Sequence, residues 1–391
     1  PRSRRAFLAS GVAAAAGAFA GCSLPSRNGR QRVDAPAATA WATRYGGSRQ
    51  TAASDVAGVT ATPSRQWRDL DFPQYEGGVF TPSGGGFVVD THAVTDVSPD
   101  GSERWRDDTG YYGPPLLTDG AVVVNSMREG LVALDRASGE RAWTATDAAP
   151  LAVAAGRVAG RGGSEGLDAV TPGGSAAWSH QVAHTDGATA VAAGDGTVVA
   201  AFSDRTLTQE DADHPETHST VVALDAESGQ RQWRFGVAGS VERLAVRNGR
   251  TYVATGVRDL GALLYAVSLS DGEAVARRSF PRSWPDGLTM AGSRVVVASG
   301  TALHGYDPDL TGPDWRTSLP SRADSLAASM SLVYATWSRP DDGTVLAAFN
   351  AADGTRRWRT TLPPDNGYVA GVTDGRVFVA GNDDTGLYAL E

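Results

Sequence analysis

The residues of this 391-residue chain that could do chemistry are few, and each group also has a structural explanation. Residues 162–166 match the G-x-S-x-G pattern of a serine nucleophile, but that motif needs a strand–turn–helix context. Here it joins two short strand patterns, which favours a glycine-rich hairpin. Residues 307–312 have part of a calcium-loop pattern. They lack the third ligand and the distal glutamate, so a polar turn is the better interpretation.

The densest group of potential metal ligands lies in residues 203–218, where five acids and two of the six histidines occur. Imidazole and carboxylate suit several metals, and the side chains that could gather a cation are Asp211, Asp213, His214, Glu216 and His218. A solvated acidic loop explains the same composition. We predict no metal site, and we expect this insertion to be a place for a partner contact because loops on a rigid scaffold often carry recognition.

Cys22 is the only cysteine, which excludes a disulfide framework and a cysteine-rich metal centre. It follows the pair Arg4 and Arg5 and a mildly apolar run over residues 9–20. A basic start, a short apolar run and small residues are typical of a cleaved secretory signal. The paired arginines resemble a twin-arginine export signal, and Phe-Ala-Gly-Cys resembles a lipobox. We predict a signal peptide over residues 1–21 and a lipid on Cys22.

The composition is consistent with export and argues against a nucleic-acid partner. The chain has 44 acidic and 35 basic residues, all of the latter arginine, and a formal net charge of −9. Nucleic-acid binding needs a basic footprint. A lipid on Cys22 would anchor the protein to the outer face of the cell membrane, with residues 22–55 as a flexible tether and lead-in segment. The high acidity suggests a halophilic source as a hypothesis.

A repeat of about 40 residues must position any site in the rest of the chain. Each copy has a short alternating strand, a turn that begins with Asp or Asn and ends near Gly, and a Trp four residues after that Gly. The polar side chain can bond the turn backbone, and Gly supplies a positive φ. The clearest copies are residues 131–143, 221–233 and 346–358, and the copy at 264–276 has Ala in place of Trp.

Further strand patterns precede each copy and contain hairpin signals. Asp-Gly or Asn-Gly pairs stand at 119–120, 248–249 and 374–375, and such pairs strongly favour two-residue hairpin turns. Four strands per repeat are typical of a β-propeller. We predict an all-β fold, an eight-bladed β-propeller of four-stranded antiparallel blades, with seven blades as the alternative.

The blade count follows from regularly spaced tryptophans plus the vacant position at Ala276. The tryptophans expected to dock between adjacent blades are Trp67, Trp105, Trp143, Trp178, Trp233, Trp315 and Trp358. The last copy, residues 366–391, lacks its fourth strand. We expect a strand within residues 60–70 to supply it, which would remove the open edge and close a propeller spanning residues 56–391.

The pattern Ala133-x-Asp135-x-x-Ser138-Gly139-x-x-x-Trp143 and its copies resemble the tryptophan-docking repeat of quinoprotein propellers, the pyrroloquinoline-quinone (PQQ) family. The resemblance covers most of residues 56–391 and is specific to the fold. It is much less specific to chemistry, because a fold does not determine function.

The resemblance implies two functional classes. Alcohol and sugar dehydrogenases of the family bind PQQ and calcium, with a catalytic Asp and often an adjacent cysteine pair. That pair is impossible here, no Asp or Asn aligns to a cofactor cage, and we predict no catalytic residue. The family also contains a non-catalytic scaffold, the lipid-anchored barrel-assembly lipoprotein of Gram-negative outer membranes. We predict a monomeric scaffold that binds an extracytoplasmic or membrane protein. A PQQ-dependent oxidoreductase and a sensor of a small ligand or polysaccharide are the alternatives.

Overall fold

The strands of the described residues form eight separate four-stranded antiparallel sheets, which confirms the predicted eight-bladed propeller. The computed structural model describes residues 53–67, 75–81, 83–118, 120–145, 148–162, 166–183, 185–204, 219–257, 261–281, 283–339, 343–362, 367–381 and 386–391. Within these ranges no helix is long and apolar enough to cross a bilayer.

Each of the first seven blades is a run of four consecutive strands that pair in chain order. Blades 1 and 2 consist of β2 (Tyr75–Phe80), β3 (Gly86–Asp90), β4 (Val94–Val97), β5 (Glu103–Asp107), β6 (Tyr111–Leu117), β7 (Ala121–Ser126), β8 (Gly130–Asp135) and β9 (Arg141–Ala145). Blades 3 and 4 consist of β10 (Ala148–Ala154), β11 (Arg157–Gly162), β12 (Gly166–Val170), β13 (Ala176–Gln181), β14 (Thr185–Gly194), β15 (Thr197–Asp204), β16 (Ser219–Asp225) and β17 (Arg231–Val237). Blades 5 and 6 consist of β18 (Ser240–Arg247), β19 (Arg250–Val257), β20 (Gly261–Ser268), β21 (Ala274–Pro281), β22 (Pro285–Ala291), β23 (Arg294–Ser299), β24 (Ala302–Tyr306) and β25 (Pro313–Ser318). Blade 7 consists of β26 (Ser325–Ala328), β27 (Leu332–Arg339), β28 (Gly343–Asn350) and β29 (Arg356–Thr361).

The eighth blade takes its outer strand from the other end of the chain. β30 (Tyr368–Thr373), β31 (Arg376–Ala380) and β32 (Leu387–Leu390) pair in order, and β32 pairs with β1 (Arg65–Trp67). Ser64 and Glu391 exchange two backbone hydrogen bonds of 2.6 and 3.2 Å. Phe80 of blade 1 stacks on Phe378 of blade 8 with ring centroids 3.9 Å apart. Strand pairing and core packing together therefore close the ring.

The hydrophobic core lies between adjacent blades rather than in one central mass. Middle strands such as β3 and β7 are buried along their whole length, because a neighbouring blade covers each face. In the outer strands, buried and exposed side chains alternate. In β29, for example, Trp358 is buried between exposed arginines. Continuous apolar runs and alternating runs in the sequence thus correspond to middle and outer strands.

The outer-strand tryptophans contact the next blade in a repeated geometry. The indole Nε1 of Trp233 donates a 2.7 Å hydrogen bond to the Leu269 carbonyl, and a Cβ placed on Gly272 would lie 2.8 Å from the same ring. Gly272 also has φ +76°. The turn therefore requires glycine both for its backbone conformation and for the space that the indole occupies. Equivalent indole-to-carbonyl bonds are made by Trp105, Trp178, Trp315 and Trp358, with acceptors Arg136, Ala226, Ala351 and Val59.

The vacant position at Ala276 is filled by one side chain from a strand and one from a turn. Leu310 is fully buried, although its φ is +52°, and it packs with Tyr252 in the cluster beside Ala276. The Tyr252 hydroxyl donates a 2.9 Å hydrogen bond to the Pro308 carbonyl. Pro308 corresponds to Leu269 in the neighbouring blade, so a tyrosine makes the bond that a tryptophan makes elsewhere.

Residues 53–64, which we call the N-terminal segment, take the place of the turn that blade 8 lacks. Ala53 forms a parallel bridge with Ala328 of blade 7. The Val59 amide donates to the Tyr334 hydroxyl at 2.8 Å, and the Val59 carbonyl accepts from the indole of Trp358 at 2.7 Å. The N-terminal segment thereby completes the contacts of blade 7 that a following turn would otherwise make.

Candidate functional site

The two faces of the propeller differ in the connections that they carry. In an up-and-down blade, the turn between the second and third strands lies at the same end as the connection to the next blade. We call this end the connection face. The first strands of neighbouring blades contact one another around the ring and line its axis, so the beginnings of these strands lie at the centre of the connection face.

Among the described residues, three of the five exposed large hydrophobic side chains lie on the connection face. They are Tyr112, Met127 and Trp284, which are 41%, 59% and 41% exposed. Val275 and Met330, which are 40% and 54% exposed, belong to the opposite face. Large exposed hydrophobic side chains set among polar ones are a feature of binding surfaces.

A cleft of about 450 Å³ opens on the connection face between blades 5, 6 and 7. The first residues of β18 and β22 and the connection before β26 form its walls. The lining residues are Glu242, Arg243, Trp284, Pro285, Asp286, Arg322, Ala323 and Asp324. They supply three carboxylates, two guanidinium groups and an indole face, which is chemistry suited to recognition.

Two of the carboxylates stand on β-bulges. The pairing register shifts between Val241 and Arg243 in β18 and between Pro285 and Gly287 in β22, so Glu242 and Asp286 are the extra residues. A bulge redirects a side chain and interrupts the ladder. The first strands of blades 1, 3 and 8 have the same one-residue shift, so the bulge is a feature of the repeat, and the acidic residues at this position are particular to the cleft.

The side chain of Asp286 is deeply buried at the cleft, being 1% exposed. Arg322, which is 63% exposed, donates from Nε to Oδ1 of Asp286. The other carboxylate oxygen, Oδ2, is buried. Burial raises the pKa of Asp286, despite the opposing influence of Arg322 and of a backbone hydrogen bond from Gly300.

The other polar groups of the cleft are positioned by neighbouring strands. The Ser338 hydroxyl of β27 donates to Asp324 Oδ2 at 2.6 Å, and the Asp324 amide donates to the Thr336 carbonyl at 2.8 Å. Arg243 Nη1 donates to the backbone carbonyl of Glu242 at 2.7 Å. Fixed first strands thus hold charges of both signs close together.

The indole of Trp284 is supported by a glycine of the adjacent blade. A Cβ on Gly256 of β19 would lie only 2.2 Å from Trp284 Cζ2, so the ring occupies the space that any larger residue would need. The remaining surface of the ring is exposed in the cleft. Trp284 is therefore placed to stack against a ligand group.

One sequence feature indicates this cleft, a tryptophan that does not belong to the repeat pattern. Trp284 and Trp337 are tryptophans of the folded repeats that fall outside the docking positions. Trp337 is buried in β27, whereas Trp284 is exposed. The Asp-Gly pair at 286–287 is typical of a hairpin turn in the sequence, but in the structure it forms a bulge within β22. The bulge could not be read from residue types alone.

The residues singled out from sequence lie elsewhere or outside the described part of the chain. Gly162 pairs with Gly166 in the antiparallel hairpin of β11 and β12, so the G-x-S-x-G motif has no helix after it. Asp307 accepts a 2.9 Å hydrogen bond from the Thr311 amide as a turn residue. The sequence predictions outside the described residues are Arg4, Arg5, Cys22 and residues 205–218, together with the side chain of Trp67.

The lining of the cleft does not fit the family's cofactor. PQQ carries three carboxylates, and the cleft already holds three acids against two arginines, one of which is paired with Asp286. Within the described ranges, no three His, Cys, Asp or Glu side chains lie close enough together to hold a metal ion.

Together, the repeat geometry and the cleft define a tryptophan-docked, eight-bladed β-propeller with a polar and aromatic site on its connection face. The family model described as outer membrane protein assembly factor BamB matches residues 52–212, 217–338 and 341–391. The chain belongs to this family. No curated protein sequence matches it.

Solved structures with the same fold include an enzyme, a designed protein and an assembly factor. Quinohemoprotein alcohol dehydrogenase from Comamonas testosteroni aligns with 92% of this chain and 81% of its own, at a TM-score of 0.67 and 13% identity. The computationally designed Ika8 protein aligns with 85% of this chain and 99% of its own, at a TM-score of 0.65 and 13% identity. BamB from Moraxella catarrhalis aligns with 65% of this chain and 78% of its own, at a TM-score of 0.50 and 14% identity. At such identities the likeness establishes the fold alone.

Proposed function

We propose that this chain is an extracytoplasmic, lipid-anchored propeller that binds another protein through its connection face and acts as a monomeric, non-catalytic scaffold. Membership of the BamB family supports a role in protein assembly outside the cytoplasm. The observation that carries the proposal is the cleft, where exposed Trp284 stands among Arg243 and Arg322. Tryptophan and arginine are enriched at the energetic centres of protein interfaces.

The rigidity of the surroundings supports the same proposal. The cleft is built on first strands of three blades, and the ring holds those strands in fixed positions. A preorganised surface loses little conformational entropy on binding, which favours affinity. Tyr112 and Met127 on blade 2 extend the exposed hydrophobic surface to the other side of the connection face.

The interface is tested by capture of partners from native membranes. We expect Trp284→Ala to reduce capture at least about tenfold, since loss of an interface tryptophan commonly costs 2 kcal/mol or more. Met330→Ala is the matched control, because it removes an exposed hydrophobic side chain from the opposite face. Equal loss in the two variants, or no loss in either, would contradict the proposal.

The anchor is tested separately at Cys22. Cys22→Ser should release the protein from membranes into the medium, because a lipidated cysteine would be the attachment point. Fractionation followed by immunoblotting measures the distribution. A variant that stays on the membrane would refute lipidation at this residue.

Titration with PQQ and Ca²⁺ addresses the oxidoreductase alternative. We expect no saturable binding and no dye-linked oxidation of alcohols or sugars by the purified protein. Tight PQQ binding accompanied by such oxidation would overturn the scaffold proposal. Binding of oligosaccharides without any captured protein would instead favour a sensor.

A further inference from the structure

We infer that the outer edge of β21 in blade 5 binds an extended segment of another protein in which acidic and apolar residues alternate. This edge lies on the rim of the propeller rather than on either face, so the inference goes beyond the proposed function. Three features of the described residues carry it: the length of the strand, an exposed valine, and two arginines without a carboxylate partner.

The first feature is the edge itself. Among the described strands, β21 is the last of its sheet and pairs only with β20, and this pairing is regular from Ala276 to Pro281. About half of the backbone N–H and C=O groups of an antiparallel edge strand point away from the sheet. β21 has eight residues, whereas the other outer strands have three to seven. An extended segment can add to such an edge as a further strand, and a longer edge offers it more hydrogen bonds.

The second feature is Val275, which is 40% exposed near the beginning of β21. Of the five exposed large hydrophobic side chains in the described ranges, only this one lies on an outer strand. Arg277, two residues further, is exposed too, so the two side chains lie on the same face of the strand. An apolar residue of an added strand would cover the valine, and its neighbour two residues along would reach the arginine.

The strand is held in place although its docking position carries Ala276 instead of tryptophan. The Phe280 ring is buried against blade 6, with its centroid 5.2 Å from that of His304 and 6.2 Å from that of Tyr306. The edge is therefore already in the conformation that pairing needs, which lowers the entropic cost of binding.

The third feature is the charge at the middle of the strand. Arg277 is exposed and Arg278 is half-buried, and the ion pairs between described residues involve other arginines. Arg278 Nη1 donates to the Arg277 carbonyl at 3.1 Å, which leaves its other N–H groups for a carboxylate. Pairing of two copies along their full edges would place these like charges together, and this disfavours self-association. Acidic side chains on an added strand are attracted instead.

The test titrates the purified full chain with fluorescein-labelled, capped peptides and follows binding by fluorescence anisotropy. The probes are Thr-Val-Glu-Val-Glu-Val-Thr, a counterpart with lysine in place of both glutamates, and a counterpart with proline in place of the central valine. We expect saturable binding of the glutamate peptide. The lysine and proline peptides should bind at least about tenfold more weakly, because one loses the charge pairs and the other the strand conformation.

Two further measurements assign the binding to β21. Hydrogen exchange should slow at residues 274–281 when the glutamate peptide is bound, because the edge amides become paired. Arg277→Glu should weaken the glutamate peptide at least about tenfold and strengthen the lysine peptide. Arg359→Glu is the matched control, since Arg359 is exposed at the same repeat position of the shorter outer strand β29. Its affinity for the peptides should equal that of the wild type.

The remaining outcomes would overturn the inference. They are no saturable binding of the glutamate peptide, equal binding of the lysine peptide, wild-type affinity in Arg277→Glu, and slowed exchange only outside residues 274–281. A dimer of the wild-type chain that the peptide dissociates would also overturn it, because a second copy would then occupy the edge. Trp284→Ala should bind the peptide like the wild type, so loss of partner capture in that variant tests the proposed function separately.

Discussion

Burial makes the charged form of Asp286 costly to the folded protein. Desolvation raises the pKa of this carboxyl group, although Arg322 and a backbone hydrogen bond from Gly300 oppose the shift. Arg322 is largely exposed, so water weakens its ion pair with Asp286.

The pH dependence of stability follows from the same residue. Burial raises the pKa of Asp286, so the folded protein binds a proton more tightly than the unfolded chain, whose aspartates have a pKa of about 3.9. The favourable contribution of Asp286 is complete below the unfolded pKa and is lost as pH rises through the folded pKa. We expect Asp286→Asn to match the wild type at low pH and to be more stable, by up to about 2 kcal/mol, at pH 7. Urea midpoints from pH 3 to 8 measure the difference.

Asp225 provides the opposite trend as a control. Hydrogen bonds from Ser228 lower the pKa of this turn carboxylate, so its contribution is present above the unfolded pKa and is lost as pH falls through the folded one. Asp225→Asn should therefore lose stability relative to the wild type at neutral pH and not at low pH. The same trend in both variants would contradict the assignment of Asp286.

At the scale of elements, one turn and one outer strand make the contact between neighbouring blades. The indole of Trp233 lies against Gly272 and donates to the Leu269 carbonyl of the next blade. On its own sheet, Trp233 stands opposite Ala223, and the small residue leaves room for the ring. We propose on this geometry that the outer-strand tryptophans dock blade to blade.

Truncation of one such tryptophan tests the docking proposal. Trp233→Ala should lower the free energy of unfolding by about 3–5 kcal/mol, the usual cost of removing a buried aromatic side chain. Chemical denaturation measures it, and Trp284→Ala is the control because that indole is partly exposed. Equal losses in the two variants would refute a special role for the docking position.

The blade without a tryptophan allows a finer test of the same contact. Tyr252→Phe removes only the hydroxyl that donates to the Pro308 carbonyl, and we expect a loss of about 1 kcal/mol. Ala276→Trp should not restore stability, because Leu310 and Tyr252 already occupy the space and overpacking costs about 1–3 kcal/mol. A gain in stability for Ala276→Trp would show that the position is vacant.

At the scale of the whole molecule, the ring depends on residues that precede the first blade. β1 covers the edge of β32, and Asp55 of the N-terminal segment pairs with Arg247 of blade 5 at 2.6 Å. Unpaired strand edges promote association between molecules. The N-terminal segment and β1 therefore protect the propeller as well as connecting it to the rest of the chain.

Two truncations separate these contributions. A chain that begins at residue 53 should unfold cooperatively as a monomer, because it keeps every described contact of the ring. A chain that begins at residue 68 loses both β1 and the acceptor of the Trp358 indole, and we expect aggregation or early protease cleavage in blades 7 and 8. Size-exclusion chromatography and limited proteolysis compare them. A monomeric, protease-resistant chain from residue 68 would contradict the role of β1.

The repeat could be predicted from sequence because its information is local. Asp135, Gly139 and Trp143 stand within nine residues and specify one turn and the strand after it. The tyrosine that replaces a tryptophan could not be predicted, because Tyr252 and Pro308 are 56 residues apart and meet only across a blade interface.

The sequence by itself determined the all-β class and the turns within each blade, since every repeat carries its own hydrophobic alternation and turn residues. It predicted eight blades with seven as the alternative, and the structure has eight. Only the tertiary structure decided where the candidate cleft lies. Glu242, Asp286 and Asp324 follow one another at intervals of about 40 residues, and they share a cleft because the packing of consecutive blades places the beginnings of three innermost strands side by side. The bulges that redirect two of these carboxylates depend on pairing with a neighbouring strand, which no local pattern specifies.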